Sequence, residues 1–281
     1  MGQGHALPAC GRRAVSRLVW LDDGFVDPGD AALSIDDPGV RHGEGLFETM
    51  RAENRTIPWL DRHLGRLERS ISALGLVPMP DLTAVRSAAT HVALALPAGL
   101  ARIRVTVTPR PTLLVEGEAI APEAAASVTA ASIRGAWHPN RTIAEHKTLS
   151  FLGWRDSQRR AAALGADTAL LLDENGRLGE ASTANVFCVI GGELVTPPIR
   201  GILPGITRGV VMELTATREE VLDESTWRAA DEIFLTSGVR GVVGVAACDD
   251  AVIGIGSARV TAEVAALVAE SFRHPRTPSR N

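Results

Sequence analysis

Lys147 is the only lysine in a chain that holds 29 Lys and Arg residues together. It lies in the stretch "RTIAEHKTLSFL". A surface charge could be either cationic residue. Only lysine can give up its proton at working pH and attack a carbonyl carbon. Such a lysine needs its pKa lowered by burial or by a nearby cation. A solvated lysine near a helix start is the plain alternative.

Four further groups have the types and spacing for chemistry. Glu180, in "GEASTANVF", follows a hairpin turn and leads into an apolar strand. It is either an exposed turn carboxylate or one facing a heteroaromatic nitrogen, the partner a pyridoxal ring needs to act as an electron sink. In "GILPGITRGVV", Gly205, Ile206 and Thr207 sit where a loop turns into a helix. The N–H groups and dipole of a helix start bind phosphate, and an ordinary helix start reads the same way. Ser237 and Gly238, in "TSGVRG", form a second small-residue loop that could close a phosphate cradle or simply turn the chain. Arg66, in "HLGRLERS", is a candidate counter-charge or a solvated helix cation, and Arg104 and Arg110 are candidates for a substrate carboxylate or solvated strand and loop cations.

These residues need elements to hold them. "RLVWLDDGFVDP" reads as a strand with a turn at Asp22-Asp23-Gly24, and "GLFETMRAENRTIPWL" as two strands joined at Glu53-Asn54. Leu64, Leu67, Ile71 and Leu74 recur at helical spacing, with Arg62, Arg66 and Arg69 on another face. A second helix covers "DLTAVRSAATHVALAL", and "ARIRVTVTP" alternates as a strand. The turn-rich "VEGEAIAPEAAAS" marks a boundary between a small domain, 18–120, and a larger one, 121–281, after an extension at 1–17. In the second half, "SVTAASIR" is a strand and "FLGWRDSQRRAAALGA" a helix. Three strands follow with Asn-Gly and Gly-Gly turns, then a helix at "PGITRGVVMELTA". A strand into a Gly-rich loop and a closing helix, "SARVTAEVAALVAESF", complete the chain before a tail at "RHPRTPSRN". The mixture predicts an α+β fold with largely antiparallel sheets.

Bulk properties narrow the function. A net charge of −4 gives no basic footprint for nucleic acid or an anionic membrane. Tyrosine is absent and aromatics are 4%, so stacking platforms for single strands are scarce. No apolar run is long enough to span a bilayer. Cys10, Cys188 and Cys248 are widely spaced and make no metal pattern, which predicts a reducing cytoplasm and no metal. Neither a dinucleotide nor a P-loop fingerprint follows a strand.

The order of the motifs adds what each lacks alone. "GEGLFETMR", "HLGRLERS", "HKTLSFL", "LLLDENGRLGEASTANVF", "ILPGITR" and "DEIFLTSGVRGVV" follow one another over residues 18 to 270. The series resembles the fold type IV pyridoxal-phosphate enzymes, which include branched-chain and D-amino-acid aminotransferases and 4-amino-4-deoxychorismate lyases. The resemblance implies two α/β domains closing over one pyridoxal 5'-phosphate, in a homodimer whose partner contributes to the pocket. It implies Lys147 as the lysine that holds the cofactor as an imine and Glu180 as the pyridine-nitrogen carboxylate. Arg66, Ile206, Thr207, Ser237 and Gly238 would be phosphate ligands, although members often carry a hydroxyl where Gly238 stands. Thr49, after Phe47 and Glu48, resembles the lyase pattern, where a threonine hydroxyl assists proton transfer. The leading expectation is therefore a lyase that converts 4-amino-4-deoxychorismate to 4-aminobenzoate and pyruvate for folate synthesis. The alternatives are a class IV aminotransferase, of branched-chain, D-amino-acid or secondary-metabolism type, and a non-catalytic member of the family.

Overall fold

The structure, a computed structural model, describes residues 17–121, 127–249, 251–253 and 258–274. The expected extension up to residue 16, Cys10, residues 122–126 of the turn-rich stretch and the tail from 275 lie outside the described residues. The chain divides into two compact units. One runs to Pro122 and includes Lys147–Ser150; the other comprises Glu123–His146 and Phe151–Ser279.

The first unit contains β1 (Arg17–Leu21), β2 (Gly24–Val26), α1 (Pro38–His42), β3 (Leu46–Glu53), α2 (Leu60–Leu74), α3 (Leu82–Ala95), β4 (Leu100–Val107) and β5 (Leu113–Ala119). Its sheet runs β2-β1-β5-β4-β3, antiparallel throughout. Alternation sends Met50, Ala52, Ile103, Val105 and Val115 into one core with Leu64 and Leu67 of α2 and Val92 of α3. Each large aliphatic side chain buried there contributes about 1.5–3 kcal/mol. β5 was not foreseen: Gly117 and the polar Glu116 and Glu118 read as a turn, yet they fill the glycine and outward positions of an ordinary alternating strand. The second strand expected after Glu53 is a single bridge at Thr56, because Asn54 and Arg55 take left-handed backbone angles and Pro58 has no N–H to extend a ladder.

Residues 147–150 extend this sheet. Phe47 N–H donates to the Lys147 carbonyl at 2.8 Å and Leu149 N–H to the Gly45 carbonyl at 2.9 Å. Gly45 permits the approach: a Cβ there would lie 2.7 Å from both Leu149 Cδ1 and the Val107 carbonyl oxygen.

The second unit contains β6 (Ser127–Ile133), a short 3₁₀ turn (Thr142–Glu145), α4 (Leu152–Ala163), β7 (Thr168–Leu172), β8 (Leu178–Ala181), β9 (Asn185–Ile190), β10 (Glu193–Thr196), α5 (Ile206–Leu214), β11 (Thr217–Glu219), α6 (Glu224–Arg228), β12 (Glu232–Ser237), β13 (Gly241–Cys248), β14 (Ala251–Val252) and α7 (Arg259–Arg273). The sheet order is β11-β10-β9-β12-β13-β6-β7-β8, with β14 on β13. β6 lies parallel to β13 and β7, and β10 parallel to β11; the other pairings are antiparallel. Four strands stand where three were expected between Asp167 and Pro197, because the chain turns between Ala181 and Asn185. One face packs Leu170, Leu172, Val186, Ile233 and Leu235. On β9 and β12, Phe187 stacks on Phe234 with centroids 4.9 Å apart. The fold is α+β, as the mixture of elements predicts.

Candidate active site

The two faces of β3 carry different chemistry. Glu48 lies on the core-facing side, 2% exposed, where alternation would place an aliphatic residue. Arg66 Nε and Nη2 donate to it at 2.8 and 2.6 Å, and His63 Nδ1 lies 2.8 Å away. His63 and Arg66 are one turn apart on the buried face of α2. Burial alone would raise the Glu48 carboxyl, but the Arg66 charge and the His63 hydrogen bond outweigh it and hold the carboxyl well below its ordinary 4.5. Burial pushes His63 below its ordinary 6.5, its bond to Glu48 opposes that, and the Arg66 and Lys147 charges add to the lowering. The imidazole is therefore neutral at pH 7, with its Nδ1–H directed at Glu48.

Arg66 is thus no solvated helix cation; it is 5% exposed and tied to β3. Glu48 and His63 were not singled out from the sequence. The available signal was a carboxylate at a core position of a strand, with His63 and Arg66 flanking Leu64 and Leu67 at helical spacing.

On the other face, the Phe47 ring collects two cations. Lys147 Nζ lies 4.4 Å from its centroid and Arg104 Cζ 3.8 Å. Lys147 is half-buried, and Thr49 is the cross-strand neighbour of Arg104. Burial lowers the Arg104 pKa, the facing Glu116 raises it, and Arg102 lowers it further; the guanidinium remains protonated. The first unit therefore brings Lys147 and Arg104 to one ring, with Thr49 opposite Arg104 on the paired strand. Arg110 is exposed on the β4–β5 turn; against burial, the Asp37 carboxyl is held low by hydrogen bonds from Thr112, Thr108 and Gly39, with the Arg110 charge adding least. Asp37 itself accepts from Thr108 Oγ1 at 2.8 Å and Thr112 Oγ1 at 2.7 Å.

The second unit gathers the remaining candidates. Glu180, on β8 and 4% exposed, accepts from Trp154 Nε1 at 3.1 Å and from Leu203 N–H at 3.2 Å. Leu203 belongs to the loop that ends at Gly205, the residue before α5, where no side chain caps the helix start. Thr207 is buried and its hydroxyl donates to the Ser237 carbonyl at 3.0 Å, joining the α5 start to the end of β12. Ser237 and Gly238, both half-buried, begin the turn into β13. Thr236 Oγ1, beside them, is buried with no hydrogen-bond partner.

These residues fit pyridoxal phosphate. An uncapped helix start beside a small-residue turn and an orphaned buried hydroxyl suits a phosphate. A buried carboxylate fixed in orientation by two neutral donors suits a pyridine N–H. A half-buried lone lysine suits an aldehyde.

Site and fold together define a pyridoxal-phosphate-dependent enzyme of fold type IV. The chain belongs to the amino-transferase class IV family, whose profile matches residues 45–248. A Methanocaldococcus jannaschii protein assigned as a branched-chain-amino-acid aminotransferase is 28% identical over 92% of this chain and 96% of its own length. The fold IV transaminase CpuTA1 from Curtobacterium pusillum superposes with a TM-score of 0.79 at 26% identity, covering 90% of this chain and 99% of that one. A hypothetical aminotransferase from Mycobacterium tuberculosis in its PLP-bound form shares the fold with a TM-score of 0.83 at 23% identity, over 92% of this chain and 100% of that one. No helix among the described residues is long and apolar enough to cross a membrane.

Proposed function

We propose that this protein is an aminotransferase that moves an amino group from an amino acid to a 2-oxo acid, with branched-chain amino acids as the first donors to try. The observation that carries the reading is the Phe47 ring with Lys147 Nζ at 4.4 Å and Arg104 Cζ at 3.8 Å. It supports an amine for proton transfer and a cation for a substrate carboxylate around one rigid group. The Methanocaldococcus jannaschii relative, similar along nearly its whole length, supports the donor class.

Pyridoxal phosphate, when bound, supplies an aldehyde carbon that exchanges amines and a ring that withdraws electrons from the substrate. Lys147 Nζ would hold the cofactor at that carbon and would take and return the substrate's α-proton. Arg104 fixes the substrate carboxylate and thereby presents the α-hydrogen. Glu180 would keep the ring nitrogen protonated. The N–H groups of Ile206 and Thr207, with Ser237 and Gly238, would hold the phosphate, and Arg66, its plane set by Glu48, would supply positive charge toward it. The Thr207 hydroxyl is donated to Ser237, so its part is to join the two phosphate loops. The family resemblance supports a homodimer acting in the cytoplasm; light scattering of the purified protein would test the dimer.

The test is glutamate formation from leucine, isoleucine or valine with 2-oxoglutarate. Turnover that needs both partners supports the reading; none with any amino donor contradicts it. A second reading, the lyase, is favoured by Thr49, whose cross-strand neighbour is the half-buried Arg104. With 4-amino-4-deoxychorismate and no 2-oxo acid, a lyase releases pyruvate repeatedly. A transaminase stops after one conversion of its cofactor.

A further inference from the structure

Asn185 opens β9 and is 4% exposed. Its Nδ2 donates to the Leu203 carbonyl at 2.8 Å. Its Oδ1 occupies the space a side chain at residue 205 would need: a Cβ on Gly205 would overlap that oxygen. Asn185 therefore grips the Leu203–Gly205 loop at both ends, one by a hydrogen bond and the other by close packing. That loop has two outputs. Leu203 N–H donates to Glu180 Oε2 at 3.2 Å, and Gly205 precedes the uncapped start of α5 at Ile206. In the sheet, Asn185 faces Thr236, the residue before Ser237, whose carbonyl receives the Thr207 hydroxyl. One side chain thus touches the loop that leads to the carboxylate at one end and the helix start at the other.

We infer that Asn185 is a positioning residue that sets the ring-nitrogen carboxylate and the phosphate-binding helix start in register with one another. A cofactor held at its ring nitrogen and at its phosphate requires those two points at a fixed separation. A loop of Leu203, Pro204 and Gly205 pinned only by its own backbone would leave that separation loose. The inference rests on the roles proposed for Glu180, Ile206 and Thr207.

The test uses full-length protein, stripped of cofactor and titrated with pyridoxal phosphate. Asn185→Leu keeps the volume and removes the amide. The expected results are an approximately tenfold weaker affinity for pyridoxal phosphate, one hydrogen bond's worth, and a shifted midpoint in the pH titration of the bound cofactor's absorbance. A residue that only supported the fold would lower the melting temperature and leave that midpoint alone. Gly205→Ala is the second variant, with the same expected loss, and carries the test if Asn185→Leu does not fold. In an Asn185→Ala background, Gly205→Ala should cost nothing further, because the methyl enters vacated space. Unchanged affinity and midpoint in both single variants would overturn the inference. Glu180→Gln, measured alongside, separates the two levels: if it too leaves the midpoint in place, the reading of the site itself has failed.

Discussion

Glu48 in one unit and Glu180 in the other are both buried, and they are held in different ways. Glu48 is enclosed by a guanidinium and an imidazole that reach it from α2. Glu180 is oriented by an indole N–H and a backbone N–H. A carboxylate with a guanidinium on both oxygens has its charge balanced inside the protein and serves to fix its partner. The indole and backbone N–H groups orient the Glu180 carboxylate without bringing a countercharge of their own. On the proposed reading Glu48 is a support for Arg66 and Glu180 a working group, although both are almost fully buried.

Substitutions test that contrast. The largest effect is expected at the lysine. Lys147→Arg should keep the fold, by circular dichroism, and lose about 10⁴-fold in turnover or more, because a guanidinium does not shed its proton. Glu48→Gln should cost about 3–5 kcal/mol of stability, since it strands a buried guanidinium; urea unfolding measures it. Glu180→Gln removes a carboxylate that accepts two hydrogen bonds, so a smaller loss of about 1.5–3 kcal/mol is expected. Its larger signature should be in turnover. If Glu180→Gln proves the more destabilising and the less damaging to rate, the contrast is reversed.

Acid should expose the Glu48 cluster next. In the folded state Glu48 lies below 4.5 and His63 below 6.5, so the unfolded chain takes up protons first as pH falls. Stability should be greatest above pH 6.5 and decline below it, first through His63 and then, below 4.5, through Glu48. His63→Gln should flatten the upper part of that decline in melting temperature. The smallest effect is expected at Cys188, whose buried thiol is pushed up to about 12. It should resist alkylation in the native protein at neutral pH and react once the chain is unfolded.

Much of the candidate site can be proposed from the sequence because its chemistry restricts residue type locally. A sole lysine, a glutamate after a hairpin and a glycine before a helix start can each be seen within a few residues. Glu48, His63 and Asn185 are not visible in that way. Glu48 meets His63 and Arg66 only when α2 folds back on β3, and Asn185 meets Leu203 only when the loop before α5 returns to β9. The fold shows the same division. Helices with long apolar periodicity, such as α2 and α7, stand where periodicity puts them. β5 was hidden because its Gly117 and its two glutamates are strand residues only in the company of β4 and β1.

The most direct test of the account is borohydride reduction of the cofactor-loaded protein followed by peptide mapping. Reduction fixes pyridoxal phosphate to whichever amine holds it, and the chain offers one lysine side chain. The account predicts one pyridoxyl group per chain, on the peptide containing Lys147. Cofactor retained without a label there, or a label found on the chain's α-amino group instead, would contradict it.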